Sequence, residues 1–180
     1  MRRTVVRSGA YYRVVAPGWV DPANTAYSKQ NGGRWNPAGE FGALYLNATI
    51  QVAAANARAQ HAGRAVKLFD LLPAARPELV TFDVPVITAL NASTSDGIAA
   101  LGFPSSFPYG IPWPPCQAIA REAHGAGLSG VASRSNAEAT AISVIGEELA
   151  LFEKFAVLKP RARSKFQQWY PDPIPGPLQR

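Results

Sequence analysis

Residues 32–58, with the sequence GGRWNPAGEFGALYLNATIQVAAANAR, predict a glycine-punctuated loop, a short buried strand and a helix in direct succession. The Gly32-Gly33 pair allows the backbone to turn sharply or to lie close to a ligand. Residues 43–46 form an apolar run typical of a strand, and Thr49 is a suitable N-cap for the alanine-rich helix that follows. We expect the rest of the chain to pack around this segment.

Three side chains of this segment are candidate site residues. Arg34, Tyr45 and Asn56 follow one another at intervals of eleven residues. The planar guanidinium group of Arg34 offers a fork of donors that matches a phosphate or a carboxylate. A loop, a strand and a helix that fold back on one another would bring the three side chains to one cleft.

The composition predicts a single domain over residues 1–180. A chain of 180 residues that is 47% hydrophobic is large enough to bury a core without disulfides or a metal. Cys116 is the single cysteine, and one cysteine with two histidines makes a zinc site of protein ligands improbable. Neither a signal peptide nor a membrane-spanning apolar run is found. We therefore expect a cytoplasmic protein without a metal and without a membrane segment.

The formal net charge of +6 favours anionic partners, but much of the excess lies near the two ends of the chain. These basic ends are either solvated surface or part of a nucleic-acid-binding surface. No helix-turn-helix or aromatic RNA-binding signature supports the second interpretation. A nucleic-acid-binding protein would show steeply salt-dependent binding to unrelated DNA.

Two further predicted strands carry candidate site residues. Residues 11–15 (YYRVV) are rich in β-formers and include Arg13, which belongs either to a structural ion pair or to a second anion clamp beside Arg34. Residues 128–135 (LSGVASRS) deliver Ser135. Ser135 lacks the G-x-S-x-G context of a serine hydrolase, so we expect its hydroxyl to hydrogen-bond a ligand.

The remaining predicted elements complete the chain. They are strands over residues 66–72 and 79–84, a long ordered loop over 91–115, a short helix over 117–124, a last core strand over 149–152, and a basic, proline-rich tail over 156–180. The long loop is either a lid over a site or a docking surface.

Arginine, tyrosine and serine side chains on separate elements suit a ligand that carries a diphosphate. Guanidinium groups neutralise phosphates, an aromatic ring stacks on a base or on nicotinamide, and a hydroxyl binds a ribose or an amide. On its own this combination indicates a nucleotide-binding site only weakly, since no P-loop or dinucleotide glycine fingerprint accompanies it.

The order of the motifs is more specific. YYRVV, GGRWNPAGEFGALYLN, a helix, GVASRS and ELALFE follow one another over residues 10–155, and this series resembles the RES family, the toxin half of bacterial RES–Xre toxin–antitoxin pairs. The resemblance implies an α+β fold of the ADP-ribosyltransferase type, in which a split mixed β-sheet with flanking helices surrounds a cleft for NAD. It also implies cleavage of the nicotinamide–ribose bond of NAD by hydrolysis or phosphorolysis, or transfer of ADP-ribose to a protein.

The resemblance, taken residue by residue, also implies the site and its partners. The family's arginine falls on Arg34, with a second basic position at Arg13, its tyrosine on Tyr45 and its serine on Ser135. NAD is the implied substrate, no metal is required, and phosphate, water and protein all remain acceptors of ADP-ribose. The implied partner is an Xre-type antitoxin that blocks the cleft and through which the complex binds DNA. The chain is left open as a monomer or a homodimer.

The sequence departs from the family at one position, where the family has a helix glutamate and this chain has Asn56. A carboxylate there would stabilise the positive charge that develops as nicotinamide leaves, whereas an asparagine supplies only hydrogen bonds. Losing such a group costs about 2–4 kcal/mol of transition-state stabilisation. Three explanations remain open: Glu138 or Glu40 supplies the carboxylate, the protein binds NAD but cleaves it slowly, or the residue was altered to make the toxin tolerable.

We therefore predict an NAD-cleaving RES toxin. Arg34, Asn56 and Ser135 are its predicted catalytic residues, and Arg13, Arg34, Tyr45 and Ser135 are predicted to bind NAD. The rival hypothesis is a catalytically silent module that binds a nucleotide or docks a partner.

Overall fold

The computed structural model describes residues 2–137 and 146–171, and these residues contain six strands and five helices. In chain order they are β1 (Thr4–Val15), α1 (Ala26–Asn31), β2 (Ala43–Asn47), α2 (Ile50–His61), β3 (Glu78–Ala92), α3 (Ser95–Ala100), α4 (Trp113–Gly125), β4 (Gly130–Arg134), β5 (Glu147–Phe152), β6 (Pro160–Ser164) and α5 (Phe166–Trp169).

The six strands form one mixed sheet in the order β1-β2-β5-β4-β3-β6, in which β3 and β4 are parallel and the other pairs are antiparallel. β1 also pairs with β3 from Thr4 to Val15, so the strands from β1 to β5 close into a ring. The ring is weakest between β1 and β2, where the registered partners are Tyr12 and Asn47 alone. The predicted α+β fold with a split mixed sheet is confirmed.

Alternate residues of the ring strands point inward and form the main core cluster. All five ring strands contribute to it, with residues such as Tyr11, Leu44, Phe82, Ala132 and Leu149. A second cluster covers the outer face of β2, β5 and β4 and includes residues of α3 and α4. A third cluster joins α2, α5 and β3. The sheet is therefore packed on both faces.

The predicted succession of β2 and α2 is confirmed. The Thr49 hydroxyl accepts a hydrogen bond from the backbone N–H of Val52 at 3.2 Å and so caps the first turn of α2. Ala53, Ala54 and Ala57 are buried in the third cluster. Because alanine side chains are small, α2 lies close to the sheet, with Asn56 half-buried at its edge.

Several predicted elements differ from the structure. Residues 66–72 were predicted as a strand, but Leu68–Asp70 is a 3-10 helix in which the Asp70 carboxylate accepts a hydrogen bond from the backbone N–H of Lys67 at 2.9 Å. The predicted loop over residues 91–115 contains α3 and the first turn of α4. β1 and β3 are longer than predicted because they pair with each other along their whole length beyond the apolar runs.

The described part of the segment after Val157, which was predicted as a tail, contains a strand and a helix. β6 pairs with β3, and α5 buries Phe166 and Trp169 against the third cluster. The Phe166 ring stacks on Tyr170 at 4.7 Å and meets the edge of Phe69 at 5.1 Å. Residues 172–180 of the predicted tail lie outside the described residues.

Replacement of Phe166 by alanine tests this packing. Phe166→Ala is expected to lower the free energy of unfolding by about 3–5 kcal/mol, because it removes a ring that is buried among three aromatic side chains. Val157, which is 88% exposed, provides the matched control, and Val157→Ala should change this free energy by less than about 0.5 kcal/mol. Urea unfolding measures both variants. Equal, small effects would contradict the packing of α5 on the sheet.

Candidate functional site

A row of polar residues crosses three neighbouring strands at one end of the sheet. Asn47 on β2 lies opposite Glu148 on β5, and Glu148 lies opposite Ser133 on β4. The next row along the same face contains Tyr45, Ala150 and Val131. Ala150 and Val131 are buried in the second core cluster, so the same face is apolar beneath α4 and polar beyond it.

Glu148 is the centre of the hydrogen bonds in the polar row. Its Oε1 atom accepts one hydrogen bond from the Ser135 hydroxyl at 2.6 Å and another from Asn56 Nδ2 at 2.9 Å. Asn56 Nδ2 also donates to Asn47 Oδ1 at 2.6 Å, and Asn47 Nδ2 donates to the backbone carbonyl of Tyr12 at 2.9 Å. These hydrogen bonds connect helix α2 to β1, β2 and β5 at the place where β1 and β2 share a single registered pair.

The loop before β2 is locked onto Tyr45. The Tyr45 hydroxyl accepts a hydrogen bond from the backbone N–H of Trp35 at 2.9 Å and donates to Asn36 Oδ1 at 2.8 Å. Asn36 is fully buried, and its Nδ2 donates to the backbone carbonyls of Ser28 and Phe41. A Cβ atom on Gly33 would overlap the Tyr45 hydroxyl, which explains the glycine at this position.

The pKa of the Tyr45 phenol is shifted by burial and by two nearby charges. Burial raises the pKa of the Tyr45 phenol above its ordinary value, and the hydrogen bond from the backbone of Trp35 opposes this shift. The negative charge of Glu148 raises the same pKa further, whereas the positive charge of Arg34 lowers it. Arg34 and Glu148 therefore both lie close enough to Tyr45 to act on it electrostatically.

The polar row opens onto a cleft of about 660 Å³. The residues that line it include Arg13 on β1, Tyr45 and Asn47 on β2, Asn56 on α2, and Glu148 on β5. Two aromatic residues also line it, Trp19 in the segment after β1 and Tyr27 on α1.

Arg13 reaches the cleft, and nothing in the described residues forms an ion pair with it. Its guanidinium donates to the backbone carbonyl of Pro22 at 2.6 Å and lies 5.2 Å from the centre of the Trp19 ring. Burial lowers the pKa of Arg13, and the charge of Asp21 opposes this shift. Arg13 is therefore a desolvated cation whose remaining donors are available to a ligand in the cleft.

Arg34 is not among the residues that line the cleft. Its Nη1 atom donates to the backbone carbonyl of Ile111 at 3.1 Å, and its guanidinium carbon lies 6.0 Å from the centre of the Phe107 ring. The structure thus places the Arg34 guanidinium beside the loop that precedes α4. A clamp of Arg13 and Arg34 on one bound anion stays a prediction.

Ser135 is fully buried beneath Glu148 and is absent from the cleft wall. Glu40 and Glu138 were the two carboxylates predicted to replace the missing glutamate. The Glu40 carboxylate accepts two hydrogen bonds from Arg121, which lower its pKa, and Glu40 is not among the residues that line the cleft. Glu138 lies outside the described residues. The structure instead brings Glu148 to Asn56, which the sequence interpretation missed.

A signal for Glu148 was present in the sequence. Leu149 and Leu151 are core residues of β5, so the strand period of two places Glu148 on the face of Ala150. Antiparallel pairing of the apolar runs of β2 and β5 then sets Glu148 opposite Asn47, nine residues before Asn56. This pairing is non-local and could not be read from either strand alone.

Among the described residues, no cluster of three or more histidine, cysteine, aspartate or glutamate side chains has the arrangement of a metal site. None of the helices in this part of the chain is both long and apolar enough to span a bilayer.

Comparisons with known proteins give consistent matches. A family model described as "RES domain" matches residues 10–170. NAD(+) phosphorylase MbcT of Mycobacterium tuberculosis is 27% identical over 137 residues, which cover 68% of this chain and 73% of that protein, and the MbcT of Mycobacterium bovis matches equally. The crystal structure of the M. tuberculosis MbcT–MbcA toxin–antitoxin complex matches with a TM-score of 0.74 at 23% identity, over 93% of this chain and 92% of that chain.

The hydrogen bonds between the Tyr45 hydroxyl and the loop can be tested by removing the hydroxyl oxygen. Tyr45→Phe is expected to lower the free energy of unfolding by about 1–3 kcal/mol, because it leaves the backbone N–H of Trp35 and the Oδ1 atom of Asn36 without this partner. Tyr109→Phe is the matched control, since Tyr109 is 66% exposed. Thermal or urea unfolding measures both. A loss that is no larger for Tyr45→Phe than for the control would contradict the lock.

Proposed function

The chain belongs to the RES domain family, and from this premise we propose that it is the toxin of a toxin–antitoxin pair that binds NAD and cleaves the bond between nicotinamide and ribose. The C–N bond breaks, its electron pair goes to the nicotinamide nitrogen, and an acceptor oxygen bonds to the ribose carbon. The relatives named NAD(+) phosphorylase support phosphate as the acceptor. Transfer of ADP-ribose to water or to a protein is the alternative outcome at the same site.

The observation that carries this proposal is the polar row at the wall of the cleft. A carboxylate, two carboxamides and a phenol converge there, with a desolvated arginine in the same cleft. A volume of about 660 Å³ falls within the range of about 300–1,000 Å³ that is common for pockets of small molecules and cofactors. The cleft offers a guanidinium group for the diphosphate of NAD, an aromatic ring for its bases, and carboxamide and carboxylate groups for its ribose hydroxyls.

In the proposed complex, Arg13 binds the diphosphate through guanidinium donors that the protein leaves free. The second predicted cation, Arg34, contributes positive charge from beside Tyr45. The Tyr45 ring packs against nicotinamide or adenine, since its hydroxyl is already engaged by the loop. Asn56 faces the ribose at the edge of α2. Each of these polar contacts is stronger in the cleft than in bulk water, because the surrounding protein lowers the local dielectric constant.

We further propose that an antitoxin of the Xre type covers this cleft and that DNA contacts of the complex are made by that partner. The fold match to a toxin that was crystallised with its antitoxin supports a protein partner. Two aromatic side chains that line the cleft, the half-exposed Trp19 and the exposed Tyr27, offer apolar surface for such a contact.

The alternative function is a catalytically silent module that binds NAD. It is motivated by Asn56, which provides a hydrogen-bond donor but no charge on α2. The two functions differ in a direct assay, because a silent module binds NAD without releasing nicotinamide.

Incubation of the purified chain with NAD tests the proposal. We expect release of nicotinamide that is faster with inorganic phosphate than without it, together with ADP-ribose phosphorylated on the anomeric carbon. Chromatography with mass detection measures both products. Binding of NAD without release of nicotinamide would support the silent module, and failure to bind NAD would contradict both functions.

Replacement of Arg13 tests how NAD is held. Arg13→Gln is expected to weaken NAD binding about tenfold to a hundredfold, because a hydrogen bond to a charged group is worth about 1.5–3 kcal/mol. Arg161→Gln is the matched control, since Arg161 forms an exposed ion pair with Asp83 away from the cleft. Isothermal titration calorimetry measures both variants. Unchanged affinity for NAD in Arg13→Gln would contradict the proposal that Arg13 binds the diphosphate.

A further inference from the structure

We propose that Glu148 supplies the negative charge that stabilises the ribose cation as nicotinamide leaves, and that Ser135 and Asn56 are positioning residues that hold it. This inference rests on the proposed cleavage of NAD. It replaces the missing carboxylate of α2 with one from the facing strand β5 and removes Ser135 from direct contact with the substrate.

The first argument is the location of the charge. Of all described residues that line the cleft, Glu148 is the one acidic residue. Its neighbour Glu147 forms an ion pair with Arg7 and accepts a hydrogen bond from Tyr11, so that carboxylate is occupied elsewhere. No described lysine, arginine or histidine forms an ion pair with Glu148. Its charge is therefore not cancelled within the described part of the chain.

The second argument is the difference between the two carboxylate oxygens. Oε1 accepts both hydrogen bonds, from the Ser135 hydroxyl and from Asn56 Nδ2. No donor in the described residues is within hydrogen-bonding distance of Oε2, and Oε2 is not a buried atom without a partner. Because Glu148 lines the cleft and its Oε2 has no partner among the described residues, we assign Oε2 to the ribose hydroxyl or the developing positive charge.

The third argument concerns Ser135. The residue is fully buried and does not line the cleft, and its hydroxyl points to Glu148 at 2.6 Å. A buried hydroxyl that donates to a carboxylate fixes the orientation of that carboxylate and favours its charged form. Ser135 therefore acts on the reaction through Glu148.

The fourth argument concerns Asn56. An amide at this position donates to Oε1 of Glu148, whereas a carboxylate at this position would lie within hydrogen-bonding distance of a like charge. Two carboxylates so close compete for one proton, so the site is built for one negative charge. The amide of Asn56 donates the hydrogen bond and the carboxylate of Glu148 accepts it. A pair with the carboxylate at position 56 and the amide at position 148 would form the same hydrogen bond with the roles reversed.

The principal test is Glu148→Gln, which keeps the shape of the side chain and removes its charge. We expect the turnover number for nicotinamide release to fall about a hundredfold to a thousandfold, while the affinity for NAD changes by less than about fivefold. Glu40→Gln is the matched control, because Glu40 lies outside the cleft wall, and it should leave turnover unchanged. Melting temperatures confirm that both variants are folded.

The role of Ser135 is tested by a double-mutant cycle. Ser135→Ala alone is expected to lower turnover about tenfold, and the same change in the Glu148→Gln background should have almost no further effect. Multiplicative effects of the two changes would show that Ser135 contacts the substrate by itself and would overturn its positioning role.

A variant in which the amide and the carboxylate exchange positions tests whether the negative charge can be supplied from residue 56 instead of residue 148. Asn56→Glu combined with Glu148→Gln should recover at least about tenfold of the turnover lost in Glu148→Gln, because the pair again contains one carboxylate and one amide. An exchange variant as slow as Glu148→Gln would overturn the claim that either side of this hydrogen bond can carry the charge.

The outcomes separate this inference from the proposed function. An original chain that cleaves NAD, with Glu148→Gln as active as the original, would overturn the role of Glu148 and leave the function intact. An original chain that is silent but gains activity in Asn56→Glu alone would also overturn it, since Glu148 would then be unable to supply the charge. Failure of every variant to bind NAD would overturn both.

Discussion

The antiparallel register between β2 and β5 is the constraint on which the site depends. It sets Asn47 opposite Glu148 and Tyr45 opposite Ala150, so one face changes from apolar to polar within a single step of the strand. A slip of β5 by one residue would turn Leu149 and Leu151 out of the ring and direct the carboxylate of Glu148 into it. Because burying that charge would cost a large free energy, the observed register is strongly favoured. This register in turn places the polar residues of β2 and β5 at the wall of the cleft.

Local sequence predicts the elements that local interactions stabilise. The apolar run of β2, the cap at Thr49 and the alanine-rich α2 are all encoded within a few neighbouring residues, and each was predicted. Strand β6 and helix α5 were missed because β6 joins the fold by pairing with β3, and α5 joins it by packing on α2 and β3, all far earlier in the chain. The position of Glu148 was missed for the same reason, since it follows from pairing between strands about a hundred residues apart.

The loop before β2 shows how a motif can be predicted while its geometry is not. Its glycines were expected to permit close approach, and Gly33 does so, but the group that approaches is the hydroxyl of Tyr45. That contact, together with buried Asn36, leaves Arg34 pointing toward Ile111. The direction of a long side chain depends on which neighbours occupy the space around it, and residue order does not contain that information.

For the proposed toxin, the closed ring of strands also determines when activity can arise during synthesis of the chain. Arg13 emerges from the ribosome early, whereas Glu148 emerges after more than four-fifths of the chain has been synthesised. Because β5 bridges β2 and β4, a nascent chain that lacks it has neither a closed ring nor a complete cleft. Chains that end before β5 are therefore expected to lack the proposed activity, and the proposed antitoxin has to be present only by the time translation ends.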